Sequence, residues 1–119
     1  VSVVEPSADP ESVLRASGVL VLPSLVEGFP LALVEAMACG LAVVAADCSA
    51  GVRELVEDEA TGLLATRGDA SSLAAQLDRL LVSSDLRHRL GAAARERVAA
   101  YRQDRILDRW EWLIAQTLR

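Results

Sequence analysis

Glu27 and Glu35 are the residues best suited to chemistry, because they stand on either side of a predicted helix start with seven residues between them. The N-terminal end of a helix carries about half a positive charge and unpaired N–H groups, so it binds phosphate well. Carboxylates beside such a site accept hydrogen bonds from sugar or ribose hydroxyls. The two glutamates need not share a helix face, but both can line the same opening at the N-terminal end of the helix. Spacing alone indicates an anion site with two carboxylates; the alternative is a solvated turn residue and an ordinary glutamate near a helix start.

The elements around these glutamates are predicted from local patterns. Val19–Leu22 is a continuous apolar run, typical of a strand in a covered parallel sheet. Pro23 ends that strand because proline cannot donate to a central ladder. Pro30 stands at or near the first helical position, and Gly40 is a good C-terminal stop. One buried helix face is expected from the spacing of Leu31, Val34, Met37 and Ala38.

Strand and helix patterns alternate along the rest of the chain, which predicts an α/β fold, a Rossmann-like parallel sheet with flanking helices. We expect three or four strands and about six helices. The further predicted strands are Val1–Glu5, Ala42–Ala46 and Leu63–Ala65. The further predicted helices are Pro10–Ala16 (apolar face Val13, Leu14 and Ala16), Val52–Glu57, Ala70–Val82 capped by Asp69, Leu86–Tyr101, and Gln103–Leu118.

The stretch EGFPLALVEAMACG, residues 27–40, closely resembles the donor-binding motif of retaining GT-B glycosyltransferases, above all their family 4 (group 1). The resemblance continues through LAVVAADCSAGVRELVEDEATGLLA at residues 41–65 and the helices after it. It implies a partial C-terminal domain of a GT-B fold.

The resemblance also implies roles for individual residues. Glu27, as the catalytic residue, contacts a hydroxyl of the transferred sugar and assists electrostatically, and Glu35 holds the ribose hydroxyls. The backbone lies against sugar and diphosphate at four positions: Gly28, Phe29, Pro30 (which has no N–H) and Leu31. Ser49 and Gly51 are implied nucleotide contacts in the next loop, where Asp47 is interpreted as a turn aspartate.

The function implied is transfer of a sugar from a nucleotide diphosphate sugar to an acceptor, with retention, by a hexosyltransferase-type enzyme. No metal or other cofactor is implied, because a helix N-terminus and cationic side chains stabilise the leaving diphosphate. The loop Asp47–Gly51 resembles those of bacterial cell-envelope polysaccharide enzymes. The nucleotide base, the sugar and the acceptor stay open.

Two alternatives stay open. The chain alone is an isolated nucleotide-binding module without catalytic activity, or it is part of another GT-B enzyme, such as a sugar-nucleotide epimerase or a phosphorylase. The stretch EGFPLALVEA disfavours the second.

The absence of lysine and of a starting methionine predicts that residues 1–119 are part of a nucleotide-sugar-binding C-terminal domain whose N-terminal acceptor domain is absent. All twelve basic residues are arginine, and the only methionine is Met37. In the resembled family an upstream arginine and lysine neutralise the donor diphosphate, and arginine does not replace lysine without consequence. The missing N-terminal domain is therefore an expected partner.

Composition narrows the remaining possibilities. With 119 residues, 52% of them hydrophobic, the chain can form one globular core. The net charge of −5 without a basic run argues against nucleic acid or an anionic membrane as the main partner. No apolar stretch is long enough to span a bilayer. We expect a cytoplasmic location or a peripheral one at the inner membrane face. Cys39 and Cys48 lack metal spacing and are predicted to be free thiols.

The last predicted helix carries an apolar stripe of Ile106, Trp110, Leu113 and Thr117. In the resembled family this helix reaches across to the other domain, so without that domain we expect self-association around Trp110. His88 lies between two arginines on a predicted solvated face and is not expected to act in catalysis.

Overall fold

A computed structural model of the chain describes residues 2–119. The described chain folds into three strands and six α-helices, in the order α1 (Pro10–Arg15), β1 (Val19–Leu22), α2 (Leu31–Ala38), β2 (Ala42–Ala46), α3 (Ala50–Leu55), β3 (Leu63–Ala65), α4 (Ala70–Val82), α5 (Ser84–Val98), a 3-10 turn (Ala99–Tyr101) and α6 (Gln103–Thr117). The predicted α/β class with a parallel sheet is confirmed.

The three strands form one parallel sheet in the order β1-β2-β3, with Val19 opposite Ala42 and Val44 opposite Leu63. All five residues of β2 are buried, because a central parallel strand is covered on both faces. Val43 and Ala45 pack on one face beneath α2, α3 and the end of α5, and Ala42 and Val44 pack on the other with α4 and α5. β1 is only half-buried, since it lies at the sheet edge, which corrects the expectation of a fully covered strand.

The segment at residues 2–5 forms no strand, contrary to prediction, and Val3 and Val4 are largely exposed. Val1 of that predicted strand lies outside the described residues. An apolar segment becomes a strand only where a neighbouring strand satisfies its backbone groups, and within residues 2–119 the outer edge of β1 has no such neighbour.

The buried face of α2 differs from the predicted stripe. Leu33, Ala36 and Met37 are fully buried, whereas Leu31 and Ala38 are exposed. The helix sequence LALVEAMA is apolar on most sides, so its periodicity does not identify the face that packs on the sheet.

Side-chain caps determine where several helices begin. Ser49 accepts a hydrogen bond from the Val52 N–H (3.2 Å), so α3 begins two residues before its predicted start. The Asp69 side chain accepts from the Ser72 N–H (3.0 Å), and α4 has its predicted bounds. Asp9 caps α1 as predicted, but Leu14 alone of the predicted apolar face packs on the core, because α1 lies at the periphery.

Gly91 lets α5 approach the loop before β2 closely. A Cβ added at Gly91 would lie 2.2 Å from the Gly40 carbonyl oxygen. Gly91→Ala should therefore lower the free energy of unfolding by about 1–3 kcal/mol through overpacking. Urea unfolding monitored by circular dichroism measures this. Gly18→Ala is the control, because nothing lies within 4 Å of its added Cβ. An unchanged unfolding midpoint for Gly91→Ala would contradict the close packing.

Helix α6 contains no buried residue, and Trp110, Trp112 and Ile114 are more than half exposed. Of the predicted stripe, Trp110, Leu113 and Thr117 are exposed and Ile106 is half-buried, so the stripe is largely uncovered in the described chain. None of the helices in residues 2–119 combines the length and apolarity needed to cross a bilayer. Cys39 and Cys48 are half-buried free thiols, and His88 is exposed, as predicted.

Candidate functional site

The β1–α2 turn, residues 23–30, brings the chain to an open helix end at the carboxyl edge of the sheet. Pro30 occupies the cap position of α2, and no side chain of residues 2–119 caps this end. The amides of Leu33 and Val34 donate to the Pro30 carbonyl oxygen (3.1 and 3.4 Å). The earlier amides of a helix have no intrahelical partner, and ligands of open α/β sheets bind at this edge. Pro30 is buried, whereas Gly28, Phe29 and Leu31 are exposed.

Glu27 is half-buried in the β1–α2 turn and is oriented by a neighbouring hydroxyl. The Ser24 Oγ donates a hydrogen bond to Glu27 Oε1 (2.7 Å). Sequence reasoning overlooked Ser24. A hydroxyl three residues from a carboxylate within one turn is the signal that could have identified it.

Glu35 is exposed on α2 and lines an open pocket of about 510 Å³ between α1 and α2. Asp9, Leu14 and Arg15 line the same pocket. Glu35 also borders a groove of about 310 Å³ formed with residues 4–7. Glu27 lines neither the α1–α2 pocket nor this groove. The structure therefore places Glu35 beside α1 and the segment before it.

The first turn of α3 lies against the β1–α2 turn. A Cβ added at Gly51 would lie 1.8 Å from the Gly28 carbonyl oxygen, so the two backbones are in direct contact. The structure thus brings together two sequence-predicted site residues from different motifs. The Ser49 hydroxyl oxygen accepts the capping hydrogen bond of α3.

Asp47, interpreted from sequence as a turn residue, forms a two-point ion pair. Its carboxylate accepts from Arg53 Nε (2.6 Å) and from an Arg53 terminal nitrogen (3.1 Å). The hydrogen bond and charge of Asp47 raise the Arg53 pKa above its ordinary value. The Asp47 N–H also donates to the Ala65 carbonyl oxygen (2.8 Å), which ties the loop to β3.

Tyr101 is a second contact of the β1–α2 turn that sequence reasoning missed. Its ring centroid lies 5.3 Å from that of Phe29, with the ring planes tilted by 48°. Its hydroxyl donates to Glu54 Oε1 on α3 (2.6 Å). Tyr101 and Glu54 are 47 residues apart, so no local pattern indicates this pairing.

The hydrogen bond to Glu54, and then burial, raise the pKa of Tyr101 above its ordinary value. The folded chain therefore retains the phenol proton at a pH where the unfolded chain, with a pKa near 10, loses it. The stability from this bond is present below about pH 10 and is lost as pH rises through the folded pKa.

We expect absorbance at 295 nm to give a phenolate midpoint above 10, because Tyr101 is the only tyrosine. No lysine titrates in the same range. Glu54→Gln should bring the midpoint back toward the value for unfolded chain in urea. A wild-type midpoint equal to that in urea would contradict the hydrogen bond.

Comparison with known proteins gives the family. The sequence model of the family Glycosyl transferases group 1 matches residues 3–97. The amylovoran biosynthesis glycosyltransferase AmsD of Erwinia amylovora is 33% identical over 108 residues, 91% of this chain and 30% of that protein. Sucrose-phosphate synthase from Thermosynechococcus elongatus superposes with a TM-score of 0.84 at 36% identity, covering 89% of this chain and 27% of that one.

A third similar structure, that of Anabaena HepE, is a complex with UDP. It superposes with a TM-score of 0.79 at 31% identity, over 94% of this chain and 30% of that chain. The chain thus spans less than a third of the length of each of these proteins. The family model covers most of the sequence, and the parallel α/β fold agrees with it, so this chain belongs to the group 1 glycosyl transferases.

Proposed function

We propose that this chain is the donor-binding part of a retaining glycosyltransferase that transfers a sugar from a nucleotide diphosphate sugar to an acceptor. The open N-terminal end of α2, with Glu27 before it and Glu35 after it, carries the proposal. Anabaena HepE, crystallised with UDP and with UDP-glucose, supports it. In the proposal, residues 1–119 are part of a C-terminal domain, and the acceptor domain is supplied by the rest of a longer protein.

The nucleotide occupies the α1–α2 side of the proposed site. Glu35 accepts hydrogen bonds from the ribose hydroxyls, for which its exposed carboxylate in the α1–α2 pocket is suitably open. The backbone of residues 28–31 lies against the sugar and the diphosphate. Three of these residues offer amides, whereas Pro30 does not. The start of α3, with Ser49 at its cap and Gly51 in its first turn, contacts the nucleotide through backbone amides.

The proposed reaction proceeds on one face of the sugar. The bond between the anomeric carbon and the diphosphate oxygen breaks, the bond to the acceptor oxygen forms, and the leaving phosphate takes the acceptor proton. The α2 N-terminus stabilises the negative charge that develops on the diphosphate. Glu27, held by Ser24, positions the sugar hydroxyl and stabilises positive charge on the ring. In the proposal this chemistry requires no metal, because the α2 N-terminus and the upstream arginine and lysine that the resemblance implies carry the stabilisation.

Titration calorimetry of the 119-residue chain with UDP and with GDP tests donor binding. We expect one of the two to bind and its own nucleoside, uridine or guanosine, to bind more weakly, because the nucleoside lacks the phosphates that the helix end attracts. Absence of binding by either nucleotide would contradict the site.

The second candidate, a binding module without activity, is favoured for the isolated chain because it spans less than a third of its relatives. Transfer from UDP-glucose or GDP-mannose by the isolated chain would contradict it.

We also infer that the isolated chain self-associates through α6. For the longer protein we propose a cytoplasmic location or a peripheral one at the membrane. Trp110, Trp112 and Ile114 are all more than half exposed on this helix. Exposed apolar patches of this kind mark interaction surfaces. Light scattering at increasing concentration should show a rising mass that Trp110→Ser lowers. A monomer at high concentration would count against the inference.

A further inference from the structure

We propose that Tyr101 and Gly51, which lie outside the motif at residues 27–40, are positioning residues that hold the β1–α2 turn in its donor-binding shape. The inference rests on the proposed function, since it concerns the same site. Two independent contacts support it: one is made by a side chain on the exposed side of the turn, and the other by backbone.

The side-chain contact fixes Phe29. This residue is 40% exposed, so the core alone does not immobilise its ring. The Tyr101 ring packs on it with 5.3 Å between the ring centroids, in the tilted arrangement that aromatic pairs prefer. Tyr101 is itself held at its far end, where its hydroxyl donates to Glu54 Oε1 (2.6 Å). The ring of Phe29 is thereby linked to α3.

The backbone contact fixes Gly28. Normal packing allows no atom within about 3 Å of a Cβ, and the Gly28 carbonyl oxygen lies 1.8 Å from the position that a Cβ on Gly51 would occupy. Only glycine at position 51 permits this approach. A methyl group there would push the Gly28 carbonyl, and with it the Phe29 amide in the same peptide unit, away from α3.

Both contacts end on α3, which is itself firmly anchored. Val52 and Leu55 of α3 are completely buried, and the Glu54 carbonyl oxygen accepts two hydrogen bonds from the Arg97 guanidinium (2.8 and 3.2 Å). The helix therefore serves as a fixed base for the turn. Because Gly28 and Phe29 precede the open end of α2, their position determines where the amides meet a diphosphate.

Nucleotide titration of variants tests the consequence for binding. Tyr101→Ala should weaken UDP or GDP binding about tenfold, and Gly51→Ala by at least about tenfold, through loss or displacement of the turn contacts. Tyr101→Phe keeps the ring on Phe29 and should retain most of the affinity. Binding of the matching nucleoside, uridine or guanosine, should change little in the two Tyr101 variants, because the nucleoside does not reach the turn amides.

Gly91→Ala is the matched control for Gly51→Ala. It also forces a Cβ onto a backbone oxygen, at 2.2 Å, but at Gly40, beyond the opposite end of α2. It should lower stability without changing the nucleotide affinity of the folded chain. If Gly91→Ala weakens binding as much as Gly51→Ala, the effect is general destabilisation and the inference fails.

Heteronuclear NOE measurements on ¹⁵N-labelled chain test the turn without any ligand. The values at the Phe29 and Leu31 amides should fall in Tyr101→Ala and in Gly51→Ala and stay unchanged in Gly91→Ala. Unchanged values would overturn the inference even if a variant bound poorly. If the wild-type chain binds nucleotide and both variants bind equally well, the inference alone fails. If the wild-type chain binds no nucleotide, the proposed function fails and takes the inference with it.

Discussion

Glu35→Ala is expected to weaken UDP or GDP binding by about 10- to 100-fold, which is the loss of one or two hydrogen bonds to a charged acceptor. Glu35 is exposed in the α1–α2 pocket, so its removal leaves no buried group unpaired. Alanine has the higher helix propensity, and the fold should persist. Titration calorimetry measures the change. Unchanged affinity in this variant would exclude the ribose role.

Two comparisons separate a specific contact from a general charge effect. Glu111→Ala changes the net charge equally, but on exposed α6, and should leave binding unaltered. The second comparison uses 2′-deoxy-UDP, which lacks one of the two ribose hydroxyls. Wild-type chain should prefer UDP over the deoxy form, and Glu35→Ala should lose part or all of that preference. An equal preference in both proteins would mean that another group holds the 2′-hydroxyl.

Leu33→Ala is expected to lower the free energy of unfolding by about 2–5 kcal/mol, through lost burial and the cavity left behind. Leu33 is completely buried in the cluster that joins α2 to β2 and α3. A loss of this size is a large share of the roughly 5–15 kcal/mol that stabilises a typical domain. Urea unfolding should show a lower midpoint with an unchanged slope.

Leu31→Ala is the matched control, two residues earlier on the same helix. Leu31 is 65% exposed, so this substitution should stay within about 0.5 kcal/mol. Nucleotide binding should also survive it, because the proposed contact uses the Leu31 backbone. A cost equal to that of Leu33→Ala would mean that the stripe expected from the sequence is the packed face.

Several elements followed from the sequence because their causes are local. The strands Val19–Leu22, Ala42–Ala46 and Leu63–Ala65 have their predicted bounds, since a short apolar run between turn residues has few other structures available. Asp69 and Gly40 act within one helical turn, so the start of α4 and the end of α2 were also predictable. The family resemblance rested on a continuous motif, and the family comparison confirmed the group 1 glycosyl transferase family.

The packed face of α2 could not be derived in this way. Its residues are apolar on several sides, and only the position of the sheet decides that Leu33 is covered and Leu31 is not. The segment at residues 2–5 has the composition of a strand but no pairing partner among the described residues. In both cases the outcome depends on a neighbour that local sequence does not specify.

What the sequence determined by itself is the order of the elements from α1 onward and the candidate chemistry of Glu27 and Glu35. What only the tertiary structure decided is the surroundings of that chemistry: Glu35 beside α1, Gly51 against Gly28, and Tyr101 against Phe29. Capping and periodicity act over about four residues, so both can be predicted from a short stretch of sequence. Contacts between distant segments arise when the layers pack, and a single sequence carries no local record of them.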